Sequence, residues 1–252
     1  MMRGPIIAID GPAGAGKSTV ARHLAQHYGL LNLETGAMYR AFALKAILAD
    51  LDFDDSAALE RLSRDTEITL EADRAGNRVF LDGADVTERI RDSDVTQGAS
   101  RVSVHPAIRA WMVDLQREMG RRGSVVMEGR DIGTVVFPDA DVKVFLDASP
   151  EARSQRRYEQ RAGSKENPAT YELNPSLAAQ PRPVTVSEQS VVTRELHERD
   201  ERDRNRSTSP LRPADDAVII DSTSLTLDQV LARIDDLVSP LLTGRSAATK
   251  VG

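Results

Sequence analysis

The sequence predicts an α/β fold: a central, mostly parallel sheet covered by helices on both faces. Three observations support this prediction. Short apolar runs alternate with helix-like stretches along most of the chain, the pattern of strand, crossover helix and parallel strand. A glycine-rich segment stands directly between the first apolar run and the first helix, where such folds bind ligands. One stretch breaks the pattern with two alternating runs around a turn, the sign of a small inserted hairpin.

Ile6-Ile7-Ala8-Ile9 is the first strand, and the segment after it, Gly11, Pro12, Ala13, Gly14, Ala15, Gly16, Lys17, Ser18, is a complete G-x-x-x-x-G-K-[ST] motif. Its glycines allow a tight turn whose N–H groups point inward at the positive end of the next helix, expected from Thr19 to Tyr28. Lys17 can reach the β and γ phosphates of a nucleoside triphosphate, and the Ser18 hydroxyl can ligate magnesium. A plain glycine turn would not need Lys17 and Ser18 in register.

The segment from Gly29 to Gly36 reads as a short strand ending in a polar turn, followed by a helix from Met38 to Asp50 and another over 56 to 64. Residues 67 to 72 and 78 to 82 form the expected hairpin around Asp73-Arg-Ala-Gly-Asn77. Helices follow over 92 to 104 and 106 to 121, separated at His105-Pro106 because proline disfavours helix immediately before it. Ser124 to Glu128 is a buried strand, with Gly129-Arg-Asp-Ile-Gly133 as a polar turn at its carboxyl end. Val142 to Leu146 is a strand followed by a helix from Glu151. Ala217 to Asp221 is the last strand, Leu225 to Leu237 the closing helix, and the polar tail from Thr243 to Gly252 is expected to fray.

At 252 residues the chain can bury a large core. Its 33 basic and 39 acidic residues give a net charge of -6, so nothing in bulk electrostatics draws it to nucleic acid or anionic membrane. No cysteine is present, which excludes disulfides, thiolate catalysis and Cys-based zinc sites and agrees with a cytoplasmic location. No apolar run approaches the ~20 residues that span a bilayer, and the immediate first strand leaves no room for a signal peptide.

The phosphate loop does not name an acceptor. Local arginines are more informative, because guanidinium grips phosphate with paired hydrogen bonds. Arg40 follows the Thr35-Gly36 turn, Arg109 lies in a helix, and Arg130 sits at a strand end. Arg199, Asp203 and Arg206 share one helical face at i, i+4 and i+7, arranged for phosphate and ribose or, equally well, as a solvated ion-pair network. Arg153, Arg156, Arg157 and Arg161 crowd a helix with little acidic compensation, as a lid closing over a triphosphate would.

Together these strings resemble the bacterial cytidylate kinases, the CMP/dCMP kinases among the nucleoside monophosphate kinases. The carrying motifs are Ile9 to Thr19, Thr35-Gly-Ala-Met-Tyr-Arg40, Glu128-Gly-Arg-Asp-Ile-Gly-Thr-Val-Val-Phe-Pro138, Phe145-Leu-Asp-Ala148 and Arg199 to Arg206. The resemblance spans about residues 4 to 240. It implies a three-layer P-loop NTPase fold: core over 4 to 64, 96 to 152 and 195 to 242, an inserted CMP-binding subdomain over 65 to 95, a lid over 153 to 194 and a flexible tail over 243 to 252.

It further implies transfer of the γ-phosphoryl group from ATP, with Mg2+, to CMP or dCMP. Residues 11 to 19, Thr19 included, would hold ATP. Ser100, Arg109 and Asp131 would read cytosine, with Thr35 and Tyr39 beside the nucleotide. Arg40 and Arg130 would hold the acceptor phosphate, Arg199 and Asp203 the sugar, and Arg206 would face the transferring group, assisted by Lys17 and Arg157. A cytoplasmic monomer acting on neither nucleic acid nor membrane is the corresponding expectation. A UMP/CMP kinase or another small-molecule P-loop kinase is the alternative. The stretch from 163 to 183 is longer and richer in proline than the typical family connection, and is expected to be a tolerated surface insertion.

Overall fold

The structure is a computed structural model that describes residues 4–73, 76–121, 123–165 and 186–248. Its centre is a five-stranded parallel sheet of β1 (Ile6–Asp10), β2 (Leu31–Glu34), β6 (Val125–Gly129), β7 (Val142–Asp147) and β8 (Val218–Asp221), ordered β2-β6-β1-β7-β8. The register pairs Ile9 with Glu128 and with Val144, so the ends of β1, β6 and β7 lie side by side.

Alternation along β1 sends side chains to both faces. Ile7 and Ile9 pack with Leu24 of α1 (Lys17–Tyr28) and Ile234 of α8 (Leu227–Ala248), while Ile6 and Ala8 pack with Val113 of α5 (Pro106–Gly120) and with Ile132. With both faces covered, β1 carries no polar residue until Asp10.

A second, three-stranded antiparallel sheet is formed by β3 (Ile68–Asp73), β4 (Gly76–Leu81) and β5 (Ala84–Asp85). It shares no strand with the first. Its Ile68, Val79 and Leu81 nevertheless join one apolar cluster with Phe42 of α2 (Thr35–Leu48), Leu59 of α3 (Ser56–Arg64), Val95 of α4 (Ser93–Val102) and Met112 of α5. α6 (Pro150–Lys165) and α7 (Val186–Asn205) complete the described elements. The proline-rich stretch expected over 163 to 183 lies, from 166 onward, outside the described residues, as does most of the lid segment between these two helices.

Several local expectations are corrected. No turn separates β2 from α2, which starts at Thr35 itself; the Thr35 hydroxyl donates to the Glu128 carbonyl at 2.7 Å and pins the helix start to β6. The polar turn after β6 continues into a π-helical turn, Ile132–Val136, because Ile132 and Val136 bury in the core. Finally, α8 runs to Ala248, well into the segment expected to fray. Pro240 sits inside it, but Leu237, Val238 and Leu241 pack on the sheet either side of the proline, so tertiary burial overrides the local break.

Candidate active site

Gly11 and Gly14 adopt φ of +144° and +79°, which L side chains rarely take. A side chain at Gly11 would also run into the Leu146 carbonyl, and one at Gly14 would meet Arg153. The loop therefore lies close against β7 and α6 and opens toward the N-terminus of α1, a ready anion site. Lys17 is buried at the start of α1 and donates to the Pro12 carbonyl at 2.7 Å. Burial first, then the nearby Arg130 and Arg199, push its ammonium well below the ordinary lysine range. Thr19 is exposed.

Glu128 closes β6 opposite this loop, and its carboxylate hydrogen-bonds Ser18. Burial and the neighbouring Glu34 raise its pKa, while Lys17 opposes the rise. Its Oε1 is buried without a hydrogen-bond partner among the described residues. Glu34, at the same register on β2, takes a 2.5 Å ion pair from Arg40. Burial alone would raise Glu34; Arg40 outweighs it and holds the carboxyl below its ordinary value.

A second group of charges lies beside the first. Arg109 on α5, 1% exposed, forms a buried ion pair with Asp131. Its guanidinium also stands 5.8 Å from the Tyr39 ring centroid, within cation–π range. Arg206 approaches Asp131 at 4.0 Å and Asp203 at 3.6 Å, and one of its terminal nitrogens has no hydrogen-bond partner among the described residues. Arg130 joins the two groups by donating from Nε to Asp203 at 2.8 Å. Burial would raise the Asp203 pKa, but Arg130, Arg199 and Arg206 together keep it below the ordinary value.

Ser100 is less direct. Its buried hydroxyl has no partner among the described residues, and its carbonyl accepts from Ser103, whose own carbonyl accepts from Arg109 at 3.3 Å. With Arg157 and Arg199, Ser100 lines a cleft of about 990 Å3 between α4 and α7.

The arginines fall into distinct groups. Arg206 stands among Arg109, Asp131, Asp203 and Tyr39, whereas Arg199 on α7, with Arg130, brings its charge to Lys17. Arg206 follows Asn205, the last residue of α7, so its backbone has already left the helix that carries Arg199 and Asp203. The four arginines of α6 also do not act alike. Arg153 is buried, pairs with Asp200 at 2.6 Å and donates to the Ala13 and Ala148 carbonyls. Arg156 donates to Ala15 and Ser222. Both fasten the phosphate loop, so their compensation comes from backbone and from α7, which helical spacing within α6 cannot reveal. Arg157 donates to Gln160 at 2.7 Å on the cleft side, and the side chain of Arg161 lies outside the described residues.

Sequence reasoning missed Asp10, Glu34 and Glu128 as members of the site. A signal existed for all three: each is an acid at the carboxyl end of a sheet strand.

Comparison with known proteins shows the family. A family model described as cytidylate kinase matches residues 7–239. The cytidylate kinase of Pelotomaculum thermopropionicum is 50% identical over 236 residues, covering 93% of this chain and 96% of the relative. That of Solibacter usitatus is 45% identical, with 94% of each covered, and that of Aeromonas salmonicida is 40% identical, covering 91% of this chain and 92% of the relative.

Proposed function

The chain belongs to the cytidylate kinase family, and on that premise we propose that it transfers the γ-phosphoryl group of ATP to CMP or dCMP, giving ADP and CDP or dCDP. The observation that carries the acceptor reading is the buried Arg109–Asp131 pair with Arg206 beside it. A carboxylate accepts from the cytosine amino group, and a guanidinium donates to cytosine O2 or N3. Uracil would turn a carbonyl oxygen toward the same carboxylate, leaving a repulsive, unpaired contact.

The donor half of the reading rests on the phosphate loop. Lys17, Arg130 and Arg199 form a desolvated cluster of positive charge that favours an anion among them. In-line transfer forms a bond from the acceptor phosphate oxygen to the γ-phosphorus as the bond to the β-phosphate oxygen breaks. Lys17 and the arginines stabilise charge on the equatorial oxygens, while Arg40 and Arg130 hold the acceptor phosphate. We assign Arg206 to the base and sugar and Arg199 to the phosphates, with Asp203 toward the ribose.

Magnesium fits the residues present, since the Ser18 hydroxyl and the buried, unpartnered Glu128 oxygen are hard oxygen donors at the foot of the loop. We assign its binding to Ser18 and Glu128. When bound, the ion neutralises charge on the β and γ phosphates. The proposal includes a cytoplasmic monomer acting on free nucleotides; the net charge of -6 supports the exclusion of nucleic acid, and no described helix is long and apolar enough to cross a membrane.

The test is an assay of the purified protein with ATP and magnesium against CMP, dCMP, UMP, AMP and shikimate. Turnover of CMP and dCMP above the other acceptors supports the reading. Equal turnover of UMP and CMP removes the cytosine assignment, and turnover of shikimate alone removes the nucleotide acceptor altogether.

A further inference from the structure

Asp10 ends β1 and immediately precedes Gly11, yet its side-chain oxygens are taken by the backbone that follows β6. It is 5% exposed, and its two oxygens accept from two consecutive backbone amides, Ile132 at 2.8 Å and Gly133 at 2.7 Å. Those amides open the π-helical turn directly after Asp131. One carboxylate on the donor strand therefore fixes the two peptide units that follow the acceptor-reading carboxylate.

An apolar side chain would fill this space without the cost of burying a charge. A carboxylate is retained where two N–H groups converge on it, because unpaired buried amides are costly and charge-assisted bonds fix direction closely. The charges facing it are Asp131, which repels it, and Lys17, which attracts it. The Lys143 stem passes against Gly133, but its ammonium is committed to Asp216 at 2.8 Å. The two amides stabilise the carboxylate more than Lys17 does.

We propose that Asp10 is a positioning residue that holds Asp131 and Arg130 in register with the phosphate loop, so that base recognition depends on a side chain that touches neither nucleotide. The inference rests on the acceptor reading given above. Asn at position 10 keeps one carbonyl acceptor but turns an NH2 donor toward the second amide. The turn after Asp131 then shifts, while the glycines and Lys17 of the loop remain.

The experiment compares wild type with Asp10→Asn and Asp10→Glu, measuring kcat and KM for CMP and UMP and the Kd of a non-hydrolysable ATP analogue. Expected for Asp10→Asn is a fall of at least tenfold in the CMP to UMP ratio of kcat/KM, carried mainly by KM for CMP, with analogue Kd within about threefold of wild type. Partial recovery of the ratio is expected in Asp10→Glu, which restores both acceptors. An unchanged ratio, or equal losses for the two acceptors, overturns the inference.

If Asp10→Asn does not fold, amide exchange at Ile132 and Gly133 in wild type decides. Slower exchange on adding the ATP analogue alone supports the link, and unchanged exchange overturns it. Failure of the wild type to phosphorylate CMP would instead remove the functional reading itself, a distinguishable result.

Discussion

Arg153 on α6 and Asp200 on α7 meet at 2.6 Å with both side chains almost fully buried, and the same guanidinium nitrogen donates to the Ala13 carbonyl. One interaction thus ties the phosphate loop to the helix that carries Arg199 and Asp203 and leads into Arg206. Removing either partner leaves a buried charge uncompensated, which typically costs ~3–5 kcal/mol. Asp200→Ala should therefore lower unfolding free energy by about that amount in urea titration. A loss below about 1 kcal/mol would mean that the pair is solvated in solution.

Lys17 presents the opposite balance. Its ammonium is desolvated and crowded by Arg130 and Arg199, with Pro12 as its hydrogen-bond acceptor. Lys17→Ala should nearly abolish transfer to every acceptor, by roughly a thousandfold or more in kcat. The melting temperature should stay level or rise, because a strained buried charge is removed. Loss of activity together with a large fall in melting temperature would assign Lys17 a folding role instead.

Arg199 on α7 and Arg206 just beyond its end stand in different environments. Arg199 faces the Lys17 cluster, where burial and Arg130 bring its pKa down to about 10, while Arg206 lies between Asp131 and Asp203. Arg199→Ala should depress kcat for CMP and UMP alike, and Arg206→Ala should chiefly erode the CMP to UMP ratio. The reverse pattern in steady-state kinetics would overturn the assignment.

The pH dependence of stability carries a signature of Asp10. Burial pushes its pKa up to about 6, against the stabilising amides of Gly133 and Ile132. Between about pH 4 and pH 6 the folded chain then holds a proton at Asp10 that the unfolded chain has released. Stability from this group falls as pH rises through that window, by about 3 kcal/mol if the whole shift is expressed. Urea titrations at pH 4 and pH 7 should show wild type losing more stability relative to Asp10→Asn at the higher pH. No difference between the two pH values would place the carboxyl in ordinary solvent.

Much of the molecule was legible from local patterns. The strand, glycine loop and helix from Ile6 to Tyr28 announce themselves through spacing within a few residues, as does α3 over Ser56–Arg64. Arg109 and Asp131 were read through the family resemblance, and the structure brings them into contact across 22 positions. What stayed hidden depends on longer reach. Arg153 looked like one of four repelling surface cations because Asp200 and the Ala13 carbonyl come from other elements. The closing helix, expected to end at Leu237, runs on because Val238 and Leu241 pack on the sheet, which a local rule does not reveal. Asp10 was given no role; the 122 positions between it and Ile132 conceal their contact.

Base recognition depends most directly on Asp131. The decisive measurement is the ratio of kcat/KM for CMP to that for UMP, with saturating ATP and magnesium, in wild type and in Asp131→Ala. Wild type should favour CMP at least tenfold, and the ratio should collapse toward one in the variant while the ATP KM stays within a few fold. A ratio that Asp131→Ala leaves unchanged would contradict the reading of the Arg109–Asp131 pair as the reader of cytosine.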